Sequence, residues 1–559
     1  MGMGMGMATD TAPSCLGALM SALATFAALQ APMASAQNLP ADQSQSASPA
    51  AASTAAPSEV GAAGERPQSG AEEPLARTRV GLRRWQIVPR ILWSETYSDN
   101  VARSAAPGAE SGWITLLAPG IHVDGAGPRV QGYLDYRHDE YVYSRHSELS
   151  NGQNWLDSSA TVEGLENWLF LDARARIVQV NTSPFGSSTT ETPGFNPNRT
   201  ETSAVQLSPY MRGLLAGQTL YQLRFAATAS HASGDAVPDT TTREWLGRIQ
   251  NVPGGQPFGW SVDGRQLVIR NATINEQQDS RIRGSLMYAP YWSMRVAAYG
   301  GVEVTDMTGT RERTSTPGVG VEWSPSGRTQ LAATVEQRFF GTGHSILFSH
   351  RTPRMALTYS DGKDVSTFPG RLGIGGQSSV YNLMADLLAA SVPDPIKRAD
   401  AVRARLDQTG AVQFAPASAG FLTTRPTLLD RRELSVAALG RMNTVTFIGN
   451  RNEYRTLSPD SGSVDVAIGA SAIREQGFSA SWAHQLSPRT SITLADTHWQ
   501  SKDVASERGS HQHTLYVTLL MTVGRRTWFS LGGRRIKFDS DFSPGYLENA
   551  AVLTAAMHF

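Results

Sequence analysis

The chain has 559 residues, 40% of them apolar, a mean hydropathy of -0.27, and 49 basic against 49 acidic side chains. No run after residue 36 reaches the roughly 18 consecutive apolar residues that a membrane helix needs, so a helical membrane protein is excluded. Zero net charge supplies no field for nucleic acid, and Cys15, the only cysteine, rules out disulfides and zinc–cysteine sites in the remainder.

Leu16 to Leu29 is an apolar run too short for a stable anchor, and Pro32 with Ala34-Ser35-Ala36 follows it as a helix breaker and a small-x-small cleavage site. Residues 1–36 therefore read as a secretory signal peptide cleaved near Ala36, although the first fourteen residues carry no Lys or Arg. Residues 37–80 are an Ala/Ser/Pro/Gln tract without periodicity, expected to be a disordered periplasmic linker.

From residue 81 to the end the dominant signal is period two. Between Gly318 and Tyr359 it is cleanest: Thr329, Leu331, Ala333, Val335, Gln337 and Phe339 share one face, and Arg328, Gln330, Thr334, Glu336 and Arg338 the other. Similar segments recur at 84–96, 112–124, 129–141, 156–166, 168–180, 202–213, 217–231, 258–274, 279–289, 293–305, 314–324, 327–340 and 345–360. They resume at 428–439, 442–454, 463–473, 476–486, 490–500, 512–523, 526–538 and 546–559. Wholly apolar faces backed by charged ones, aromatics near strand ends, and short connections alternating with long ones indicate a transmembrane barrel rather than a soluble sandwich. Up-down alternation fails around 361–430 and 463–490, which reduces the expected count to about 18 antiparallel strands, with 16 to 20 allowed. Phe559 closes an alternating strand in the manner of a barrel-assembly signal, so the expected location is the Gram-negative outer membrane. Residues 362–427 interrupt the ladder. Val380 to Ala390 and Ile396 to Gln408 carry helical patterns, the second capped by Asp394-Pro395, so a small helical insertion is expected, either a plug or lid or a decorative loop domain.

Chemistry is sparse. No zinc-protease, nucleophile-elbow, P-loop or EF-hand pattern occurs, and Gly373 to Gly376 lacks the strand-to-helix context of a dinucleotide site. His511 and His513 share a face without a nearby cysteine or acidic ligand and read as ordinary exposed histidines. Ser349, His350, Asp496 and His498 could in principle assemble a rim triad, but nothing singles them out, so no enzyme, cofactor or metal site is expected. Arg281, Arg283, Arg295, Glu303, Arg328, Glu336 and Arg338 are the candidate lumen-lining residues, joined by Glu322, Arg432, Arg474, Arg525 and Arg535. Two readings fit them: ion pairs that stiffen a barrel wall, or a guanidinium track for an anionic or hydroxyl-rich polymer.

Several stretches resemble the PEP-CTERM system-associated outer-membrane proteins. They are Glu95 to Asn100, Pro119-Gly120, Leu134-Asp135-Tyr136, Pro325 to Thr329, Arg338 to Gly341, Asp394-Pro395 with Arg398, Arg441 with Asn443-Thr444, and Leu486 to Thr490. The most specific is Phe348 to Arg354, FSHRTPR, while Gly327 and Met442 depart from the pattern. The resemblance covers most of 85–559. It implies a role in exopolysaccharide export, with outer-membrane lipid, the barrel-assembly machinery, exopolysaccharide and periplasmic export components as partners. A polar channel, a non-conducting anchoring barrel and a general porin are the functions it leaves open.

Overall fold

A computed structural model describes residues 85–187, 196–233, 238–251, 257–272, 276–367, 421–423, 425–457, 472–524 and 526–559. Every regular element among them, save one 3-10 turn at Ser147–Leu149, is a β-strand. The strands are β1 Gln86–Ser98, β2 Gly112–Ala126, β3 Val130–Tyr143, β4 Asn151–Leu165, β5 Leu169–Asn181, β6 Arg199–Leu215, β7 Thr219–Ala232 and β8 Thr240–Asn251. Next come β9 Phe258–Asn271, β10 Gln277–Tyr291, β11 Met294–Thr305, β12 Glu312–Ser315, β13 Gly318–Ser326, β14 Thr329–Arg338, β15 Gly341–Arg351 and β16 Met355–Ser366. The last are β17 Thr427–Leu439, β18 Asn443–Thr456, β19 Ala472–Ser487, β20 Thr490–Asp503, β21 Gly509–Val523, β22 Thr527–Ser540 and β23 Tyr546–His558.

Each strand except β12 pairs antiparallel with the next, and β1 returns to β23 through pairs running from Arg90↔His558 to Ser98↔Ala550. β12 and β13 both lie along β11, end to end across Thr316-Pro317, so the 23 segments make 22 staves. Closure leaves no sheet edge, which is the condition for a sheet to cross lipid.

The architecture is all-β and antiparallel as expected, but two parts of the expectation are corrected. There are 22 staves rather than about 18. The segment 345–360 holds two strands joined by a turn at 352–354, where Pro353 cannot continue a ladder. β8 went unnoticed because it opens on Thr240-Thr241-Thr242 and carries Arg243 on its apolar side. The second correction concerns the helical insertion. Among the described residues there is no α-helix, and its proposed margins are strand: 362–366 finish β16 and Thr427 begins β17. The stretches Val380 to Ala390 and Ile396 to Gln408 lie outside the described residues, as do the signal-peptide and linker segments, 463–471 and Arg525.

Register and exposure agree on which face is which. On β21, Leu515, Val517, Leu519, Met521 and Val523 are exposed, while Gln512, Thr514 and Leu520 are buried. The outward row is the lipid-facing girdle of an outer-membrane barrel. Proline sits on that row at Pro119 and Pro209, and the pairing of β2 with β3 and of β6 with β7 skips two pairs at each, where the missing N–H breaks the ladder. One end of the barrel has tight turns, among them 166–168 with left-handed Asn167 and 216–218 with left-handed Ala216 and Gly217. The other end carries the long connections 99–111, 182–198 and 367–426. Phe559 lies at the tight-turn end, its N–H donating to the carbonyl of Pro89 at 2.9 Å. Tight turns mark the periplasmic side.

At the long-loop end the interior is crossed. Phe421 forms a parallel bridge with Asn181 at the end of β5, and the Leu422 N–H donates to the Asn181 carbonyl at 2.9 Å. Leu422 packs with Val180, Ala204 and Ala232, and Phe421 with Leu429, Tyr454 and Ile473. Side chains from β5–β7 and from β17–β19 thus meet on one short segment.

Candidate functional site: the inner wall

The inner wall changes in chemistry from one stretch of strands to the next. Along β8–β16 the inward row is ionic, and most of its charges join in a ladder. Arg265 Nε meets Glu244 at 2.6 Å, and Arg248 Nε meets Asp263 at 2.6 Å. Arg283 reaches Asp263 at 3.7 Å and Glu336 at 3.0 Å, and Arg281 reaches the other Glu336 oxygen at 2.7 Å. Arg338 closes the ladder: its Nε donates to both oxygens of Glu303 at 2.9 Å, and its Nη1 to Asp364 at 3.2 Å and Glu336 at 3.3 Å. Arg295 pairs separately with Glu322 at 3.1 Å. Period two forces this convergence, since residues two apart on neighbouring strands share the inner face.

A smaller aromatic–guanidinium stack occupies β5–β7. Phe170 stacks on Tyr210 with centroids 5.0 Å apart, Arg212 lies 4.6 Å over Phe170, and Arg224 lies 4.2 Å over Tyr210 while pairing with Asp172 at 2.8 Å. Cation–π contact and ion pairing together hold these guanidinium groups against the wall. From β17 round to β1 the inward row carries many short hydroxylated side chains, including the buried Ser435, Thr446, Ser481, Thr493, Ser94 and Thr96, interspersed with the ion pairs Arg431–Glu433 and Arg534–Glu548 and with aromatics such as Trp499.

Arg281, Arg283, Arg295, Glu303, Glu336 and Arg338 all lie on the inward row of β10, β11 and β14. Arg328 is placed elsewhere: it is exposed in the 327–328 turn at the tight end, off the inner wall. The register also puts Arg432, Arg474 and Arg535 on the outward row, beside the exposed Leu434, Phe478 and Leu531 of their own strands. Sequence reasoning missed Glu244, Arg248, Asp263, Arg265 and Asp364. For four of them the signal is alternate charge on β8 and β9, of which β8 does not read as a strand, while Asp364 on β16 falls within the stretch expected to be the insertion.

The four candidates for a rim triad do not share one face of the wall. Ser349 is on the inward row of β15, whereas His350, Asp496 and His498 are on outward rows. His498 stands edge-to-face with His511 at 4.3 Å, and His513 pairs with Asp496 at 2.5 Å. Among the described residues no group of three or more His, Cys, Asp or Glu side chains is arranged to hold a metal.

Inward residues become more buried toward the long-loop end. On β1, Arg90 and Leu92 are half-buried, followed by Ser94, Thr96 and Ser98 at 4%, 1% and 0% exposure. The seam strand adds Glu548, 1% exposed, which accepts from Ser98 Oγ at 3.0 Å and pairs with Arg534 and with Arg103 of the 99–111 connection.

No protein-family model matches the chain. No characterised protein matches it in sequence. Among solved structures it is similar to the siderophore receptor PirA from Acinetobacter baumannii (TM-score 0.41, 7% identity, covering 85% of this chain and 80% of that one). It is also similar to the outer-membrane protein opdK from Pseudomonas aeruginosa (TM-score 0.31, 8% identity, 85% and 99% covered). The chain is an outer-membrane β-barrel by its own closed ladder and girdle.

Proposed function

We propose that this barrel is a polar conduit taking part in export of exopolysaccharide across the outer membrane. The observation that carries the reading is the division of its wall: apolar residues face out, while ion-paired arginines and a bank of hydroxyls face in. Guanidinium forks and hydroxyls offer hydrogen bonds to sugar hydroxyls and carboxylates without a deep single site, as a polymer sliding past requires. The choice of polymer rests on the sequence resemblance, and Phe559 serves in this reading as the signal to the barrel-assembly machinery.

The filled long-loop end favours a second reading, an anchoring barrel that does not conduct. Gene deletion with separate assay of surface and periplasmic polysaccharide, together with planar-bilayer conductance of the purified barrel, separates the two. Periplasmic build-up of polymer with measurable conductance supports export. Normal surface polymer with a silent bilayer overturns it in favour of the anchor.

A further inference from the structure

The apolar girdle is not of even height. On β6 the outward row runs Val205, Leu207, Pro209, Met211, Gly213 and Leu215, eleven residues from end to end and enough to cross the hydrocarbon. On β18 it consists of Val445, Phe447 and Gly449, and Arg451 follows. On β17 it is Ala438, Val436 and Leu434, then Arg432. Each of these strands therefore presents a charge where β6 still presents aliphatic carbon.

Arg432 and Arg451 are directly opposite one another in the β17–β18 register. Like charges so placed repel unless an anion lies between them. Arg432 has Asp430 at 3.5 Å and Asp361 at 3.6 Å. Arg451 is exposed, and among the described residues no carboxylate pairs with it. Glu453 is already shared by Arg474 at 3.4 Å and by Arg455, whose Nε lies at 2.9 Å. On the outward faces of β16–β19 the fixed cations are Lys363, Arg432, Arg451, Arg455 and Arg474, and the carboxylates are Asp361, Asp430 and Glu453, an excess of two positive charges.

We infer that this face binds the phosphate groups of an outer-leaflet glycolipid, the bisphosphorylated lipid A class, between Arg432 and Arg451. The long-loop end is the outer-leaflet end, so the row lies at that leaflet's headgroups. A phosphate between the two guanidinium groups removes their repulsion and takes bidentate hydrogen bonds from each. The short apolar row then matches a bilayer thinned locally by the captured headgroup.

The test is native mass spectrometry of the folded barrel in detergent with added bisphosphorylated lipid A, dephosphorylated lipid A or inorganic phosphate. Wild type is expected to retain the bisphosphorylated lipid at least tenfold better than the dephosphorylated one, and Arg432→Gln/Arg451→Gln to lose that preference. Arg451→Gln alone, which breaks no ion pair among the described residues, is expected to lose most of it, and heat-modifiable gel mobility checks that each variant is folded. Equal retention of both lipids, unchanged retention by folded Arg451→Gln, or capture of inorganic phosphate without preference for the lipid overturns the inference. So does efficient self-cross-linking of Val445→Cys barrels in native membranes, which would make the face a contact between copies.

Discussion

Arg338 on β14 and Glu303 on β11 face each other across an intervening stave, both Glu303 oxygens accepting from one Nε at 2.9 Å, with side chains 2% and 0% exposed. That stave is the one interrupted at Thr316-Pro317, so the ion pair ties its two neighbours together where the ladder between them is broken. Replacing Arg338 by Met would strand Glu303, Asp364 and part of Glu336 without their shared cation. The expected loss is about 3–5 kcal/mol of unfolding free energy. Urea unfolding of the refolded barrel in detergent measures it, and a loss below about 1 kcal/mol would show that the pair is not needed.

Glu548 makes the same argument at the seam. Glu548→Gln leaves Arg103 and Arg534 facing a neutral amide, so β1 and β23 are expected to exchange amide hydrogens faster than β6 and β7, which lack that contact. Unchanged exchange at the seam would contradict a locking role.

Outside the membrane, His146 bridges the connections 99–111 and 144–150, with Glu110 at 2.8 Å and Glu148 at 3.0 Å. Its pKa is raised, first by the hydrogen bond to Glu110 and then by that to Glu148. A raised pKa means that the clamp is fully present below the ordinary histidine value and is lost as pH climbs through the raised one. Protection of both connections from hydrogen exchange is expected to fall from mildly acidic to mildly alkaline buffer, and His146→Gln to abolish the difference. A pH-independent wild type would sink this.

Face assignment itself is testable on β21. Leu519→Arg puts a cation mid-girdle and is expected to cost about 2–4 kcal/mol in a lipid-supported refolding assay. Thr518→Arg, on the inner face, is expected to cost far less. Equal costs would mean that the faces are reversed.

Period two made most staves legible, because a lipid-facing row and a polar inner row leave alternate residues of opposite character, as from Ile282 to Tyr288. It failed where outward residues are polar. Above the girdle, and especially on β16–β22, the outer face meets headgroups and water, so Arg432, Arg474 and Arg535 mimic an inner row although they face out. Only the pairing register, which sequence does not display, tells the two apart. Similarly, the ladder around Arg338 joins residues far apart in the chain, and no local spacing announces Glu303 or Asp364 as its partners.

The pairing of β1 with β23 also bears on how the chain folds. Its contacts join residues more than four hundred positions apart, so a sheet built from the other staves must persist with two unsatisfied edges until Tyr546–His558 arrives. Open edges of that kind template aggregation, and so late and non-local a step makes spontaneous folding slow. Escort of the growing sheet until its first and last strands meet is therefore a kinetic requirement of this topology.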